Sequence, residues 1–171
     1  MLVILIGYMG SGKSSIGKRI ARKTKMKVID LDDFIIEMEN MTVPEIFEKK
    51  GEVYFRRKER EYLKQLLETS DDIIISVGGG TPCYGDNMGT ILKSTPNVFY
   101  LKASVDTLVK RLKKKKEERP LIKNIANKDL PDFIKKHLFE RNFYYMQSHQ
   151  AIDIDDLSRK KAAKKIIKKL S

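Results

Sequence analysis

GYMGSGKSS, residues 7–15, decides how this chain is read, because it sits between the apolar run LVILI at 2–6 and a segment of helical periodicity. A glycine, four residues and then Gly-Lys-Ser is the spacing of a loop that wraps phosphate. Gly7 ends the first strand, and Gly10 and Gly12 permit backbone angles that a β-carbon forbids, so successive N–H groups can turn inward around an anion. Lys13 can then reach the β and γ phosphates, and Ser14 can offer its hydroxyl to Mg²⁺. The helix that starts there points its positive end at the charge. A strand before the loop and an amphipathic helix after it are the context that this motif requires.

Moving outward, short apolar and β-branched runs recur at 28–29 (VI), 73–77 (IIISV), 98–101 (VFYL) and 151–154 (AIDI), each followed by a helical pattern. Ile16, Gly17, Ile20 and Ala21 form a stripe with small residues where a helix must lie close to a sheet. Thr42 with Glu45 predicts a capping box for a helix reaching Lys50, and Ser104 caps a stripe of Val105, Leu108, Val109 and Leu112. Asp129 and Pro131 open a helix carrying Phe133, Ile134, His137, Leu138 and Phe139. Strand and helix in alternation predict an α/β fold of three layers, a parallel sheet covered on both faces, with ligands at the carboxyl ends of the strands.

Composition sets the bounds. A chain of 171 residues, 41% hydrophobic, without a linker-like, repetitive or low-complexity block apart from the lysines at 113–116, predicts a single domain over 1–171. The opening apolar run lacks a basic flank and is too short for a signal peptide or a membrane span, so a soluble, cytoplasmic protein is expected, with no membrane partner. The one cysteine, Cys83, excludes an internal disulfide and reads as a packed residue. Thirty-five Lys and Arg against 23 Asp and Glu give +12, which admits anionic partners of several kinds. Between Arg159 and Lys169 the basic residues fall in pairs, with Ala162, Ala163, Ile166, Ile167 and Leu170 between them, the signature of a terminal helix with one solvated face. No interleaved aromatic pattern for stacking bases accompanies it, and no nucleic-acid partner is expected.

Two further clusters carry chemistry. VIDLDD places Asp30 and Asp32 at the end of the second strand, where alternation predicts that both point to one side, toward the phosphate loop. One carboxylate near a metal and another placed to take a proton from an attacking hydroxyl is the minimal equipment of a small-alcohol kinase. SVGGGTP at 76–82 follows the third strand, and three consecutive glycines there imply a sharp bend or a close approach by a ligand.

Together these residues resemble the shikimate kinase family, small P-loop kinases of the nucleoside monophosphate kinase-like branch. The resemblance rests on GYMGSGKS at 7–14, DLD at 30–32, FRRKE at 55–59, GGG at 78–80, ERPLI at 118–122 and ERNFYY at 140–145, and it spans nearly the whole chain. It implies a five-stranded parallel sheet, a substrate-binding region at 31–60 and a mobile lid at 111–124. The implied reaction is ATP-dependent phosphorylation of the 3-hydroxyl of shikimate, releasing ADP, by an enzyme of aromatic amino acid biosynthesis that is often monomeric.

The resemblance also assigns roles. Ser14 and Asp30 would hold Mg²⁺, while Gly10, Ser11, Gly12, Lys13, Ser14 and Ser15 would bind ATP. Asp32 would orient or deprotonate the acceptor hydroxyl. Arg56 and Arg141 would grip the substrate carboxylate, for which a planar guanidinium fork suits a planar anion. Gly78, Gly79 and Gly80 would line the substrate site, Arg119 would close over the transferring phosphoryl group, and Arg111 would lie against adenine. The residues alone leave Arg56, Arg57 and Arg60 equal, and the family pattern selects Arg56. Two places depart from that pattern. Asp33 and Glu37 stand where relatives show an Ile-Glu pair, and IDDLS at 154–158 lacks the usual proline or arginine near adenine. His137 and His149 read as helix or surface residues. A gluconate or nucleotide kinase of the same fold is the alternative, with the arginines facing a sugar acid or a phosphate.

Overall fold

The computed structural model describes residues 1–170. Five strands, β1 (Leu2–Ile6), β2 (Lys27–Asp30), β3 (Ile73–Ser76), β4 (Val98–Lys102) and β5 (Gln150–Asp153), form one parallel sheet in the order β2-β3-β1-β4-β5. The helices are α1 (Lys13–Thr24), α2 (Leu31–Glu39), α3 (Val43–Lys50), α4 (Glu52–Leu67), α5 (Asn87–Ser94), α6 (Val105–Lys113), α7 (Leu130–Tyr145) and α8 (Arg159–Ile167). All five expected strands form, within a residue or two of the boundaries read from the sequence. Apart from the terminal Ser76 and Lys102, strands β1, β3 and β4 are continuous apolar runs because helices cover both faces of a parallel sheet.

Register positions the site. Leu5 pairs with Ser76 and Ser76 with Asp30, so β1, β3 and β2 end at one level and their loops leave the sheet side by side. A β-carbon on Gly17 would lie 3.2 Å from Val28 Cγ2 and 3.5 Å from Leu5 Cδ1, so the glycine lets α1 settle onto the sheet, as its stripe predicts. The capping box of α3 is formed in both directions, Thr42 N–H to Glu45 Oε2 at 2.7 Å and Glu45 N–H to Thr42 Oγ1 at 3.3 Å.

Two expectations change. Asp32 is not on a strand, since β2 stops at Asp30, which caps α2 by accepting the Asp32 N–H at 3.1 Å. Phe139 does not belong to the buried face of α7 and is 83% exposed, because five residues beyond Ile134 the helix has turned well away from the core. The terminal helix α8 is as expected, with Ala162, Ala163 and Ile166 buried against α1 and its lysines outside. No helix among the described residues is long and apolar enough to cross a membrane.

Candidate active site

A cleft of about 460 Å³ opens at the ends of β1, β2 and β3, walled by the phosphate loop, both aspartates, Gly78, Gly79 and a set of basic side chains. At its nucleotide end the backbone provides the grip. Gly10 and Gly12 have φ of +80° and +93°, which only glycine adopts without strain. Gly12 caps α1 with no side-chain bond to the helix, and the first turn carries no acidic residue, so the N–H groups at this end remain available to an anion. Lys13 lies over the loop, donating to Gly7 O at 2.7 Å and Tyr8 O at 3.0 Å. Burial pushes its amine down to about 8, against the pull of Asp30 and Asp32.

The two carboxylates reach the same cleft by different means than alternation along a strand. Asp30 is the last strand residue and Asp32 lies in the first turn of α2. Ser14 Oγ donates to Asp30 Oδ2 at 2.7 Å, bringing a hydroxyl and a carboxylate together beside the loop. Asp32 stands over the glycine turn, its Oδ1 only 3.2 Å from where a β-carbon of Gly78 would be. Burial, then the neighbouring charges of Asp30 and Glu59, push its carboxyl up to about 6, with Lys13 and Arg56 opposing. Such a group is ionised at neutral pH yet basic enough to accept a proton.

The far end of the site is built from side chains laid on glycines. A β-carbon on Gly80 would lie 3.0 Å from Arg56 Nη2, and one on Gly79 would lie 3.2 Å from Arg141 Nη1. The glycine run is therefore explained by close approach, and none of its three members has a positive φ. Arg56 Nη1 donates to the buried Glu59 at 2.9 Å, and the other Glu59 oxygen accepts from Thr81 Oγ1 at 2.8 Å. The Arg56 guanidinium lies 3.8 Å over the Tyr84 ring, while its Nε is buried without a hydrogen-bond partner. Arg57 and Arg60 are exposed, so the structure separates three arginines that the sequence leaves equal.

Most of the expected residues converge. Gly10, Gly12, Lys13, Ser14, Ser15, Asp30, Asp32, Gly78, Gly79, Arg111 and Arg119 line the cleft, and Arg56, Gly80 and Arg141 lie at its far end. Ser11 does not join them: its side chain is buried and its N–H is tied to Tyr8 O at 3.2 Å. Arg111 Nη1 donates to Gly10 O at 3.2 Å, bracing the phosphate loop from α6. Segment 111–124 contributes Lys114, Lys115 and Arg119 to the cleft wall and buries Ile122 completely.

Several participants escape sequence reasoning. Arg159, directly after IDDLS, lines the cleft. Glu59 lies within FRRKE, three residues past Arg56, and the helical spacing is the signal that could have found it. Glu37 is exposed, whereas Glu39 accepts from Tyr54 and Tyr62, both at 2.5 Å, and so ties α2 to α4. Tyr145 donates its hydroxyl to Gly79 O at 2.6 Å, and His137 is half-buried against Tyr8 rather than on the surface. No signal in a single sequence marks either contact.

The sequence pattern of the shikimate kinase family matches residues 9–171. The shikimate kinase of Flavobacterium psychrophilum is 49% identical over 156 residues, 91% of each chain. The crystal structure of shikimate kinase from Bacteroides thetaiotaomicron covers 99% of this chain and 95% of its own at TM-score 0.89 and 34% identity. That of Acinetobacter baumannii, in complex with shikimate, covers 98% and 90% at TM-score 0.87 and 27% identity. The phosphate loop, the paired aspartates and the arginines laid on the glycine turn thus belong to a member of the shikimate kinase family, a nucleotide-dependent kinase of P-loop fold.

Proposed function

We propose that this enzyme transfers the γ-phosphoryl group of ATP to the 3-hydroxyl of shikimate, giving shikimate 3-phosphate and ADP. The observation that carries the reading is the position of Asp32, between the phosphate loop and two guanidinium groups that stand over Gly79 and Gly80. A hydroxy acid whose carboxylate meets Arg56 and Arg141 would present a ring hydroxyl to Asp32, on the side from which the loop delivers phosphate.

In this mechanism the loop amides and Lys13 hold the β and γ phosphates, and Lys13 leaves the carbonyls of Gly7 and Tyr8 to do so. Asp32 accepts the acceptor's proton as its oxygen bonds to phosphorus and the bridging bond to ADP breaks. Arg119 stabilises the charge spread over the transferring oxygens, and Arg111 and Arg159 flank the nucleotide. The 31–60 region carries Arg56 and Glu59, and residues 111–124 act as the lid. Ser14 Oγ and Asp30, a hydroxyl and one carboxylate, fit Mg²⁺, which binds through one or two protein oxygens together with phosphate. That ion would supply charge neutralisation to the phosphates of the nucleotide. Every residue that this reading uses belongs to the same chain, and a monomer is the working unit proposed.

The test is ADP release with shikimate, gluconate, nucleoside monophosphates and single-stranded DNA offered separately. Turnover with shikimate alone is expected. Faster turnover with gluconate or a nucleotide would overturn the assignment.

A further inference from the structure

Tyr8, inside the phosphate loop, is 1% exposed, and its hydroxyl lies 2.7 Å from His137 Nδ1 on α7. The carbonyl of the same residue accepts the Lys13 amine at 3.0 Å. Tyr8 therefore meets the phosphate-binding lysine through its backbone and α7 through its side chain. Tyr8 is enclosed, and its ring centroid also lies 5.9 Å from the Arg141 guanidinium, so what this contact does to a ligand passes through its neighbours.

On α7, His137, Arg141 and Tyr145 are four residues apart and occupy successive turns of one face. Tyr145 donates to Gly79 O at 2.6 Å. Arg141 is thus bracketed, one turn before it anchored to the phosphate loop and one turn after it anchored to the glycine turn. Burial and the nearby Arg141 push the His137 imidazole down to about 4, and burial pushes the Tyr8 phenol up. The imidazole is therefore neutral at neutral pH, and the tautomer that carries its proton on Nε2 lets Nδ1 accept from the phenol. A phenylalanine at position 8 would bury as much ring without needing a partner, so the hydroxyl is best explained by the direction it imposes on α7.

We propose that Tyr8 and His137 are a positioning pair whose hydrogen bond fixes α7 against the phosphate loop and so holds Arg141 where the acceptor carboxylate must dock. This rests on the reading of Arg141 as part of the carboxylate clamp. The pair's effect on the acceptor passes through Arg141.

The test compares Tyr8→Phe, His137→Leu and His137→Asn with wild type, by shikimate KM, ATP KM, kcat and melting temperature. Loss of one neutral hydrogen bond should raise the shikimate KM about fivefold in Tyr8→Phe and His137→Leu, with kcat and ATP KM little changed. In His137→Asn the side-chain oxygen can stand near the place of Nδ1 and accept the same bond, so this variant should stay close to wild type. Added to Arg141→Lys, Tyr8→Phe should raise the shikimate KM no further, because the pair acts through Arg141. An unchanged shikimate KM in Tyr8→Phe, with or without a lower melting temperature, overturns the proposal while leaving the clamp standing. Equal losses from Tyr8→Phe with Arg141 present and with Lys in its place also overturn it. An unchanged shikimate KM in Arg141→Lys overturns the clamp reading, and the proposal with it.

Discussion

The two ends of the cleft are built from different materials. At the nucleotide end the ligand-facing groups are mainly backbone: amides turned inward by Gly10 and Gly12, and the uncapped start of α1. At the acceptor end they are side chains from distant helices, Arg56 of α4 and Arg141 of α7, laid on glycines that follow β3. A backbone grip recognises what every nucleoside triphosphate shares. On the proposed reading a side-chain grip selects one acceptor, and Glu59 and Tyr84 are the contacts that hold Arg56 in place for it. Asp32 and Lys13 stand where the two ends meet.

The largest effect should come from that meeting point. Asp32→Asn keeps the shape and removes the base, so transfer should fall by about 10²- to 10⁴-fold while ATP affinity, measured by calorimetry or fluorescence, largely persists. Loss of ATP affinity with turnover intact would mean that Asp30 and Asp32 have exchanged roles. Lys13→Ala should lower kcat by about 10²-fold or more in a protein that circular dichroism finds folded, since a preorganised charge at developing phosphate is worth that much. Near-normal turnover would remove the nucleotide end from the account.

Smaller effects should sort by end. Arg56→Lys and Arg141→Lys keep the charge and lose the fork, so each should raise the shikimate KM about tenfold to a hundredfold and leave the ATP KM alone. Gly80→Ala places a β-carbon 3.0 Å from the Arg56 guanidinium, whose far end can shift, and a several-fold rise in shikimate KM at unchanged ATP KM is expected. If Gly80→Ala altered ATP binding instead, the two ends would not be separable.

The same contrast explains what the chain reveals before it is folded. The phosphate loop is legible because its function is local: strand, glycines, lysine and helix are contiguous, and the structure reproduces them. Strands β1, β3 and β4 are legible because buried parallel strands are apolar over most of their length, whereas β2 and β5, at the sheet edges, show only the short apolar pairs Val28-Ile29 and Ala151-Ile152. Asp32 reached its place by a route that alternation did not describe, on the first turn of α2, because Asp30 ends the strand by capping that helix. Arg56 could not be told from Arg57 or Arg60, since the choice depends on Gly80 and Glu59 being brought to its side by tertiary packing. Arg159 and the Tyr8–His137 contact were silent for the same reason.

The central claim is that Arg56 and Arg141 read the acceptor's carboxylate, and one measurement tests it most directly. Wild type, Arg56→Lys and Arg141→Lys are each assayed with shikimate and with its neutral carboxamide analogue. The account predicts a KM loss of about tenfold or more for both variants on the acid and a much smaller loss on the amide, where there is no charge for the fork to engage. Equal losses on the two compounds would contradict it, and would move the reading to a different acceptor on the same kinase fold.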